Sequence, residues 1–551
     1  MKFTKSFVGV SLLLVAGFFM GFVTHYSNDY YEISKNLDIF GKLFRDVNTM
    51  YVDDTDPEKL IRTGIDAMLE SLDPYTTFIS EEESDQVRFL TKGEYGGIGA
   101  LVGKRKGRIL IIEPYEDYPA DEAGIKAGDQ LIKVKDSVIT PEMTIADVRD
   151  LLRGKKGTEV DITVLRNGAE TQLRVRRDRI KIPNVPYYGF VREDVGYIAL
   201  EGFTQDASQE LIKALEQLKA TSKDLKGVML DLRGNTGGRL DEAIYVSNVF
   251  IRQNEAIVET RGRVEGSQRK LFTRRPATDT EIPLVVLIDG RSASASEIVA
   301  GAIQDLDRGV IVGQKSFGKG LVQDIRPLSY NAQLKITTAK YYTPSGRCIQ
   351  AINYRERDAN GKAMRIPDSL RNTFATRNGR EVKDGGGISP DISIESPDSQ
   401  PLLAAIISEG LIFDFATQYA AGHSELTAPK SFHVDDAIFS EFKSFVRTKD
   451  LSLQTPLDSK LEEITEDLKE EGYYASLTDE LATLEKAIQE KKSRDLGDLQ
   501  GEISLMLEQE IAKRYYYKQG IVEVSFDDDP EILAGLAVLD EPNRYKEILQ
   551  K

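Results

Sequence analysis

The feature that most constrains the fold is an alternation of short apolar runs with amphipathic segments, which begins near Val195. The runs GYIAL, GVMLDL and IPLVVLI are strand-like, and helical patterns such as ASQELIKALEQLKA and DEAIYVSNVFI separate them. Strands that alternate with helices predict a mostly parallel sheet with helices on both faces. Because ligands bind at the carboxyl ends of such strands, we expect the loops LRGNTGG and DGRSASASE, which each follow a strand, to face one crevice.

A β-rich module precedes this alternation, from about Gly93 to Arg179. Its strand-like runs are residues 109–112, 130–134, 159–165 and 172–175. The stretches AGIKAGDQLIKV and TIADVRDLLRGKKGT, which follow a glycine-containing loop, resemble a PDZ domain. The loop is Gly97-Ile98-Gly99-Ala100, and the resemblance implies that its backbone N–H groups bind the terminal carboxylate of a peptide that adds a strand to the sheet edge. A small β-module without a ligand is the alternative.

The two ends of the chain are predicted to be helical. In the N-terminal region, Asp56 before Pro57 predicts a helix start. After about Pro401 the sequence is charged, with apolar residues spaced by three and four, which is typical of a solvated helical domain or an oligomerisation element. The predicted domains are a signal or anchor (1–28), a helical region (29–92), a PDZ domain (93–179), an α/β domain (180–400) and a helical C-terminal domain (401–551).

The N-terminus predicts export or membrane anchoring. Lys2 and Lys5 precede 17 uncharged, mostly apolar residues, Phe7 to Val23. A positive start followed by such a run is typical of an export signal or an anchor. As a helix the run would be about 25 Å long, at the short limit for spanning a bilayer. Positive charge is retained on the cytoplasmic side, so we expect the body of the protein on the periplasmic side of the cell envelope, anchored in the inner membrane or exported.

Composition excludes several classes of function. A formal net charge of −17 over 551 residues argues against a nucleic-acid partner, because phosphate binding needs clustered Lys and Arg. The single cysteine, Cys348, excludes an internal disulfide and a cysteine-based zinc site. The three histidines, His25, His423 and His433, lie far in sequence from any candidate nucleophile, so the sequence gives little support for a Ser-His-Asp triad. We therefore expect no metal and no organic cofactor.

The stretch SASASEIVAGAIQDLDRGVIVGQKSFGKGLVQ contains a candidate nucleophile and base. Ser294 follows a predicted strand and opens an apolar helix, where the helix dipole favours developing negative charge. The candidate base is Lys319, because burial lowers the pKa of lysine from about 10.4 by up to roughly 3–5 units. Gln323 could hold the neutral amine by a hydrogen bond. The alternative for Ser294 is a capping box with Glu297.

Candidate oxyanion donors lie on both loops. The N–H of Ala295 would point into the space beside Ser294. Glycines at 237 and 238 would let a backbone N–H of the LRGNTGG loop approach the substrate closely. We therefore predict Gly237, Gly238 and Ala295 as the oxyanion residues.

Together these motifs resemble the C-terminal processing peptidases, also called tail-specific proteases. SASASEIVAGAIQD, GQKSFGKGLVQ, DLRGNTGG, AKYYTPSGRCIQ, VKDGGGISPDI and LDPYTTFI carry the resemblance. It implies an α/β core of the crotonase/ClpP type with an inserted PDZ domain, and a dyad of Ser294 and Lys319 assisted by Gln323. It also implies a serine endopeptidase that binds apolar C-terminal tails of proteins and cleaves through an acyl-enzyme.

Two other functions fit parts of the sequence. Gly313 to Lys319 completes most of a phosphate-binding P-loop, but Gly320 stands where a hydroxyl is needed and LVQDIRPL is strand-like. A catalytically inactive PDZ scaffold of the cell envelope would be expected to lack one member of the dyad, and both are present. The C-terminal helices also make a homo-oligomer possible.

Overall fold

The structure, a computed structural model, describes residues 30–81, 83, 93–264, 266–395, 400–448 and 456–550. The predicted signal or anchor at residues 1–28 lies outside the described residues. The described residues form two compact units, one made of residues 30–81 with 324–336 and the other of the described residues within 83–323 and 337–550.

Residues 30–81 of the first unit form two helices and a short strand, namely α1 (residues 30–50), α2 (Pro57–Glu70) and β1 (Thr77–Ile79). The predicted start of α2 is confirmed, because the Asp56 carboxylate accepts the N–H groups of Glu58 at 3.0 Å and Lys59 at 3.1 Å. Strand β1 pairs antiparallel with residues 333–335. The predicted helical region therefore also contains a strand, whose β-branched ends at 77 and 79 favour the extended backbone.

The β-rich module in the second unit has the predicted arrangement. Its elements in chain order are β2 (Glu94–Gly97), β3 (Ala100–Arg105), β4 (Arg108–Pro114), α3 (Pro119–Glu122), β5 (Gln130–Val134), β6 (Ser137–Val138), α4 (Ile145–Leu152), β7 (Glu159–Arg166), β8 (Ala169–Arg176) and β9 (Asp178–Lys181). The main sheet has the order β3-β4-β5-β7-β8, so β3 is an edge strand. Strands β2 and β9 form a separate antiparallel pair, in which Gly97 lies opposite Asp178.

The α/β domain follows. Its elements in chain order are β10 (Tyr187–Arg192), β11 (Val195–Ala199), α5 (Ala207–Thr221), β12 (Gly227–Asp231), α6 (Leu240–Phe250), β13 (Ala256–Gly262), β14 (Arg269–Phe272), β15 (Leu284–Ile288), α7 (Ala295–Asp305), β16 (Val310–Gly313), β17 (Leu321–Pro327), β18 (Gln333–Tyr342), β19 (Ile352–Arg357), β20 (Ala363–Arg365), β21 (Thr373–Ala375), β22 (Glu381–Lys383) and β23 (Ile392–Ser393). The central sheet has the order β10-β11-β12-β15-β16-β23. All of its neighbouring strands are parallel except β10 and β11, which confirms the predicted mostly parallel sheet.

Both faces of this sheet are covered by helices. Leu230 and Val286 point to one face, where they join a core with side chains of α5, α6 and α7. Met229 and Val285, their neighbours along the strands, point to the other face. That second face is covered by the end of the chain, since Ile532 and Leu539 belong to the same core. The predicted domain boundary at residue 401 assigned these last helices to the C-terminal domain, whereas in the structure they pack on the α/β sheet.

The helical C-terminal region has a core of its own as well. Its helices are α8 (Pro401–Glu409), α9 (Leu411–Gly422), α10 (Asp436–Thr448), α11 (Pro456–Glu470), α12 (Thr478–Asp498), α13 (Gln500–Glu523), α14 (Pro530–Asp540) and α15 (Pro542–Gln550). Ile406, Phe442 and Leu507 are examples of its buried core residues. Within the described ranges, no single helix is both long and apolar enough to cross a membrane, and one helix pair, α8 with α9, passes that test only as a segment bent by 53°.

Ion pairs and hydrogen bonds join the β-rich module to the helical region. Arg105 Nη1 lies 3.3 Å from Asp414 Oδ1, and its guanidinium lies over the ring of Phe413. Lys513 pairs with Glu113 at 2.8 Å across two mostly buried side chains. The β-rich module is therefore attached to α9 and α13 by side chains from two of its strands.

We predict that a buried ion pair at the end of α7 is required for stability. Arg347 and Asp305 are both almost fully buried, and Nη2 of Arg347 lies 2.8 Å from Asp305 Oδ1. Arg347→Ala should lower the free energy of unfolding by about 3–5 kcal/mol, because it leaves a buried carboxylate without its charged partner. Denaturation followed by circular dichroism measures the loss.

Arg174→Ala is the control, because Arg174 pairs with Asp161 on the exposed surface of the β-rich module. We expect it to leave the unfolding transition almost unchanged. Equal effects of the two substitutions would contradict the prediction.

Candidate active site

Three neighbouring parallel strands, β12, β15 and β16, end at the same edge of the central sheet. The loops that follow β12 and β15 are bonded to each other. The N–H of Ala293 donates to Asn235 O at 3.0 Å, and the hydroxyl of Ser292 donates to Leu232 O at 2.8 Å. The LRGNTGG and DGRSASASE loops therefore lie side by side at this edge of the sheet, and the crevice that they were expected to face stays a prediction.

Only one of the three alternating serines is accessible. Ser292 and Ser296 are fully buried, and their hydroxyls donate to backbone carbonyls of the loop after β12. Ser294 is half-buried and stands immediately before the first residue of α7. A nucleophile must reach its substrate, so Ser294 is the serine of this segment best suited to attack.

The backbone of Ser294 is strained. Its φ of 56° and ψ of −111° lie outside the regions that a residue with a Cβ ordinarily occupies. Tyr341, which is buried, donates its hydroxyl to Ser294 O at 3.1 Å and helps hold this conformation. Strained residues of this kind are concentrated at functional sites, where the surrounding structure fixes them.

The loop after β16 carries Lys319 and is fixed by backbone hydrogen bonds. The N–H of Phe317 donates to Ser292 O at 3.1 Å, and the N–H of Gly320 donates to Gln350 Oε1 at 2.8 Å. Gly318 has a φ of +88°, and a Cβ there would lie 2.4 Å from that of Ala351, so the position requires glycine. The loop therefore has one tightly packed conformation.

Lys319 is half-buried in this loop, and the apolar residues next to it in the chain differ in burial. Leu321 is buried, and Val322 is partly buried against the main core of the α/β domain. Phe317, by contrast, is 38% exposed. The apolar residues that follow Lys319 in the chain are thus better buried than Phe317, which precedes it.

A buried carboxylate connects the serine to the lysine. Glu297 Oε2 accepts the N–H of Ser294 at 2.8 Å and the N–H of Lys319 at 2.9 Å. Its Oε1 accepts the N–H of Gly318 at 2.7 Å and the hydroxyl of Ser316 at 2.5 Å. The backbone N–H groups of Ser294 and Lys319 therefore donate to the same carboxylate oxygen, which holds the backbones of the predicted nucleophile and base close together.

The surroundings of Glu297 affect the pKa of its carboxyl group in two opposite ways. Its side chain is completely buried, and burial raises the pKa of the carboxyl group. The hydrogen bonds that its oxygens accept act in the opposite direction. Sequence reasoning identified Glu297 as part of a capping box, and its bond to the Ser294 N–H confirms that half of the motif. Its contacts with the lysine loop were missed, because that loop begins 17 residues after Glu297.

The predicted oxyanion residues lie at different places around the serine. A Cβ on Gly237 would come within 2.8 Å of Ala295 N and 2.9 Å of Ser294 Cβ, so these three backbones are in close contact. The Gly237 N–H donates to Asn235 Oδ1 at 2.8 Å, within its own loop. Gly238 packs against Phe203, from whose carbonyl oxygen a Cβ would be only 2.5 Å away.

Gln323 lies in β17, four residues after Lys319. Its side-chain amide donates to the hydroxyl of Thr337 at 3.3 Å, which is a long hydrogen bond. The predicted support of the Lys319 amine by Gln323 stays a prediction.

The β-rich module contains an apolar groove beside its edge strand. Residues of β3 and α4 line a cavity of about 400 Å³, with Leu101 and Val102 on the strand and Ile145 and Leu152 on the helix. Of the predicted carboxylate-binding loop, Gly97, Ile98 and Ala100 also line this cavity.

Gly99 belongs to the same loop but is not among the residues that line the cavity. It has a φ of +76°, and a Cβ there would lie 2.5 Å from that of Tyr118. The groove thus combines a strand edge that pairs with no other described strand, an apolar wall and a glycine-containing loop at one end.

Comparison with known proteins identifies the domains. Residues 194–356 match the model for "Peptidase family S41", residues 110–166 match a PDZ domain, and residues 402–539 match "Probable PDZ-protease, C-terminal helical domain". Over 330 residues, the chain is 42% identical to a "Carboxy-terminal-processing protease" of Bartonella bacilliformis, covering 59% of this chain and 75% of the relative.

Two further proteins resemble parts of the chain. A "Probable CtpA-like serine protease" of Staphylococcus aureus is 32% identical over 370 residues, which are 67% of this chain and 66% of the relative. The solved structure "Photosystem II D1 C-terminal processing protease" is 25% identical, with a TM-score of 0.36 over 65% of this chain and 92% of that one. The chain belongs to the C-terminal processing peptidases of family S41, which carry a PDZ domain, and it is a serine peptidase.

We predict that Glu297 positions the serine and the lysine without touching the substrate. In Glu297→Gln, one oxygen would be replaced by an NH₂ group that faces backbone donors, so the two loops should separate slightly. A displacement of about 1 Å at a reacting group can reduce the rate ~10²-fold. We expect a loss of that order in kcat for peptide hydrolysis, with KM changed little.

Glu281→Gln is the matched control, because Glu281 is an exposed glutamate of the same domain. Circular dichroism checks that both variants are folded. A Glu297→Gln variant with the kcat of the unchanged protein would show that the carboxylate has no positioning role.

Proposed function

We propose that the chain is an endopeptidase that uses Ser294 as nucleophile and Lys319 as general base. The observation that carries the proposal is the shared hydrogen-bond acceptor, Glu297 Oε2, which brings the backbones of the two residues together. The accessibility of Ser294 between two buried serines supports the same assignment. An α/β core of the crotonase/ClpP type is proposed with it, supported by the parallel sheet and the loops at its carboxyl edge.

In the proposed reaction, the Ser294 hydroxyl attacks the scissile carbonyl while the neutral amine of Lys319 takes its proton. The developing oxyanion lies at the N-terminus of α7, where the N–H of Ala295 and a backbone N–H of the Gly237–Gly238 segment are its proposed donors. Collapse of the tetrahedral intermediate breaks the peptide bond, and the Lys319 ammonium returns the proton to the leaving amine. Water, deprotonated by the same lysine, then attacks the ester carbonyl, the bond from the carbonyl carbon to the Ser294 oxygen breaks, and the lysine ammonium returns the proton to that oxygen.

We expect Ser294→Ala and Lys319→Ala to abolish peptide hydrolysis without unfolding the protein. Lys319→Arg should be inactive too, because a guanidinium stays protonated at working pH. Lys315→Ala is the matched control, since Lys315 is an exposed lysine of the same segment. Hydrolysis of a fluorogenic peptide and labelling by a fluorophosphonate, with mapping of the modified residue, measure the outcome.

The pH profile tests the base separately. Because only the neutral amine accepts a proton, kcat/KM should rise with pH until Lys319 is fully deprotonated. Full activity of Lys319→Ala at neutral pH, or a label on a serine other than Ser294, would refute the dyad.

We also propose that the PDZ groove binds the apolar C-terminal tail of the substrate. The edge strand β3 can accept an added strand, and the loop of residues 97–100 lies at one end of the groove, where a terminal carboxylate would be bound. Binding of a tail would then open access to the dyad. Attachment of the PDZ domain to the helical region supports this, because movement of the PDZ domain would be transmitted to α9 and α13.

Leu101→Asp should weaken binding of a peptide with an apolar free C-terminus by at least ~10-fold, since it places a carboxylate in an apolar groove. Leu101 is 46% exposed, so the substitution should not prevent folding. Val138→Asp is the control, at an exposed position in the same domain outside the groove. Fluorescence anisotropy measures affinity for the peptide and for its C-terminally amidated form, and equal affinity of the unchanged protein for both forms would exclude recognition of the carboxylate.

We also propose a cellular location and an oligomeric assembly for the protein. A position on the periplasmic side of the cell envelope is supported by the composition of residues 1–28, and cell fractionation tests it. A homo-oligomer formed through the C-terminal helices is supported by exposed apolar side chains on α11, Leu457 and Ile464, and light scattering tests it.

A further inference from the structure

The helical region brings together a histidine and two carboxylates from three separate segments. His433 lies shortly before α10, Glu508 lies within α13, and Asp528 lies between α13 and α14. One potential ligand atom from each of these residues lies within 4.8 Å of the other two. The Nδ1 of His433 is 4.0 Å from Oε1 of Glu508.

Glu508 distinguishes this cluster from an ordinary acidic surface. Its side chain is only 4% exposed, and its Oε1 accepts the N–H of Val434 at 2.7 Å. Its Oε2 is buried and has no hydrogen-bond partner among the described residues. A buried carboxylate oxygen without a donor is costly, and a bound cation removes that cost.

The donor set selects the kind of cation. An imidazole nitrogen with two carboxylate oxygens suits first-row divalent metals such as Zn²⁺, whereas Ca²⁺ and Mg²⁺ prefer ligands that are all oxygen. Metal–ligand bonds of 2.0–2.2 Å place tetrahedral ligands about 3.4 Å apart. His433 and Asp528 have exposed side chains that can rotate to close the remaining distance around the fixed Glu508.

We propose that His433, Glu508 and Asp528 form a binding site for Zn²⁺ or a similar divalent transition metal, with water completing the coordination. The ion would take no part in peptide hydrolysis. The proposal differs from the expectation of no metal, because no pattern in the sequence combines His433 with carboxylates 75 and 95 positions further along the chain.

The position of the site in the fold gives it a structural role. Asp528 immediately precedes Asp529, whose carboxylate caps α14 by accepting the N–H groups of Glu531 at 3.0 Å and Ile532 at 3.1 Å. Asp529 also pairs at 2.7 Å with Arg233, in the loop after β12. A metal on Asp528 would therefore fasten the helical region to the segment that supports the loop of Gly237.

Titration of the full chain with Zn²⁺ against a chromophoric competing chelator tests the proposal. We expect one Zn²⁺ per chain and a raised thermal unfolding midpoint, and Co²⁺ in its place should give visible absorption bands of nitrogen and oxygen coordination. His433→Ala and Asp528→Asn should each weaken Zn²⁺ binding by at least ~10-fold. Both residues are exposed, so the variants should fold.

His423→Ala and Asp527→Asn are the matched controls, because they remove an exposed histidine of the same region and the exposed carboxylate next to Asp528. They should bind Zn²⁺ as tightly as the unchanged protein. Absence of stoichiometric Zn²⁺ binding, equal affinity in the His433 and His423 variants, or binding of Ca²⁺ as tight as that of Zn²⁺ would each overturn the proposal. Since the readouts are binding and stability, they are independent of the proposed dyad.

Discussion

The arrangement of the active site depends on the burial of one carboxylate. Every residue of α7, including Glu297, is buried. A carboxylate in such an interior is strongly destabilising unless its oxygens are bonded. Four donors surround it, and three of them come from the segment Ser316 to Lys319. If the segment that carries Lys319 moved away from Ser294, the buried Glu297 carboxylate would lose three of its four hydrogen-bond donors. The need to keep those hydrogen bonds therefore also holds the predicted base beside the predicted nucleophile.

The central sheet explains why these segments meet at all. Strands β12, β15 and β16 are adjacent and parallel, so the three loops that follow them leave the sheet at one edge. Because both faces of the sheet are buried, each of these strands is a continuous run of apolar residues in the sequence. Polar and glycine residues are therefore confined to the strand ends. The close contact of Gly237 with Ser294 follows from this, since the two loops have little space between them.

The end of the chain is more closely connected to the α/β domain than a separate helical domain would be. Ile532 and Leu539 complete one face of the sheet, and Asp529 pairs with Arg233 beside the active-site loops. The same helical region holds the PDZ domain through Asp414 and Lys513. The C-terminal helices thus contact both the domain that is proposed to bind substrate tails and the domain that carries the proposed dyad.

The amino-acid sequence by itself determined the local elements and the family. Alternation of apolar runs with amphipathic helices specified a parallel sheet covered on both faces, and the strand ends placed Ser294 and the Gly237 loop at one crevice. These features depend on periodicity and on contacts between neighbouring segments, which a sequence displays directly. Tertiary structure decided which serine is accessible, that Glu297 bonds the lysine segment, and that His433 lies near Glu508 and Asp528. Such contacts join residues that are far apart in the chain. The burial of each residue also depends on how whole helices and strands pack, and a local sequence pattern contains no information about that packing.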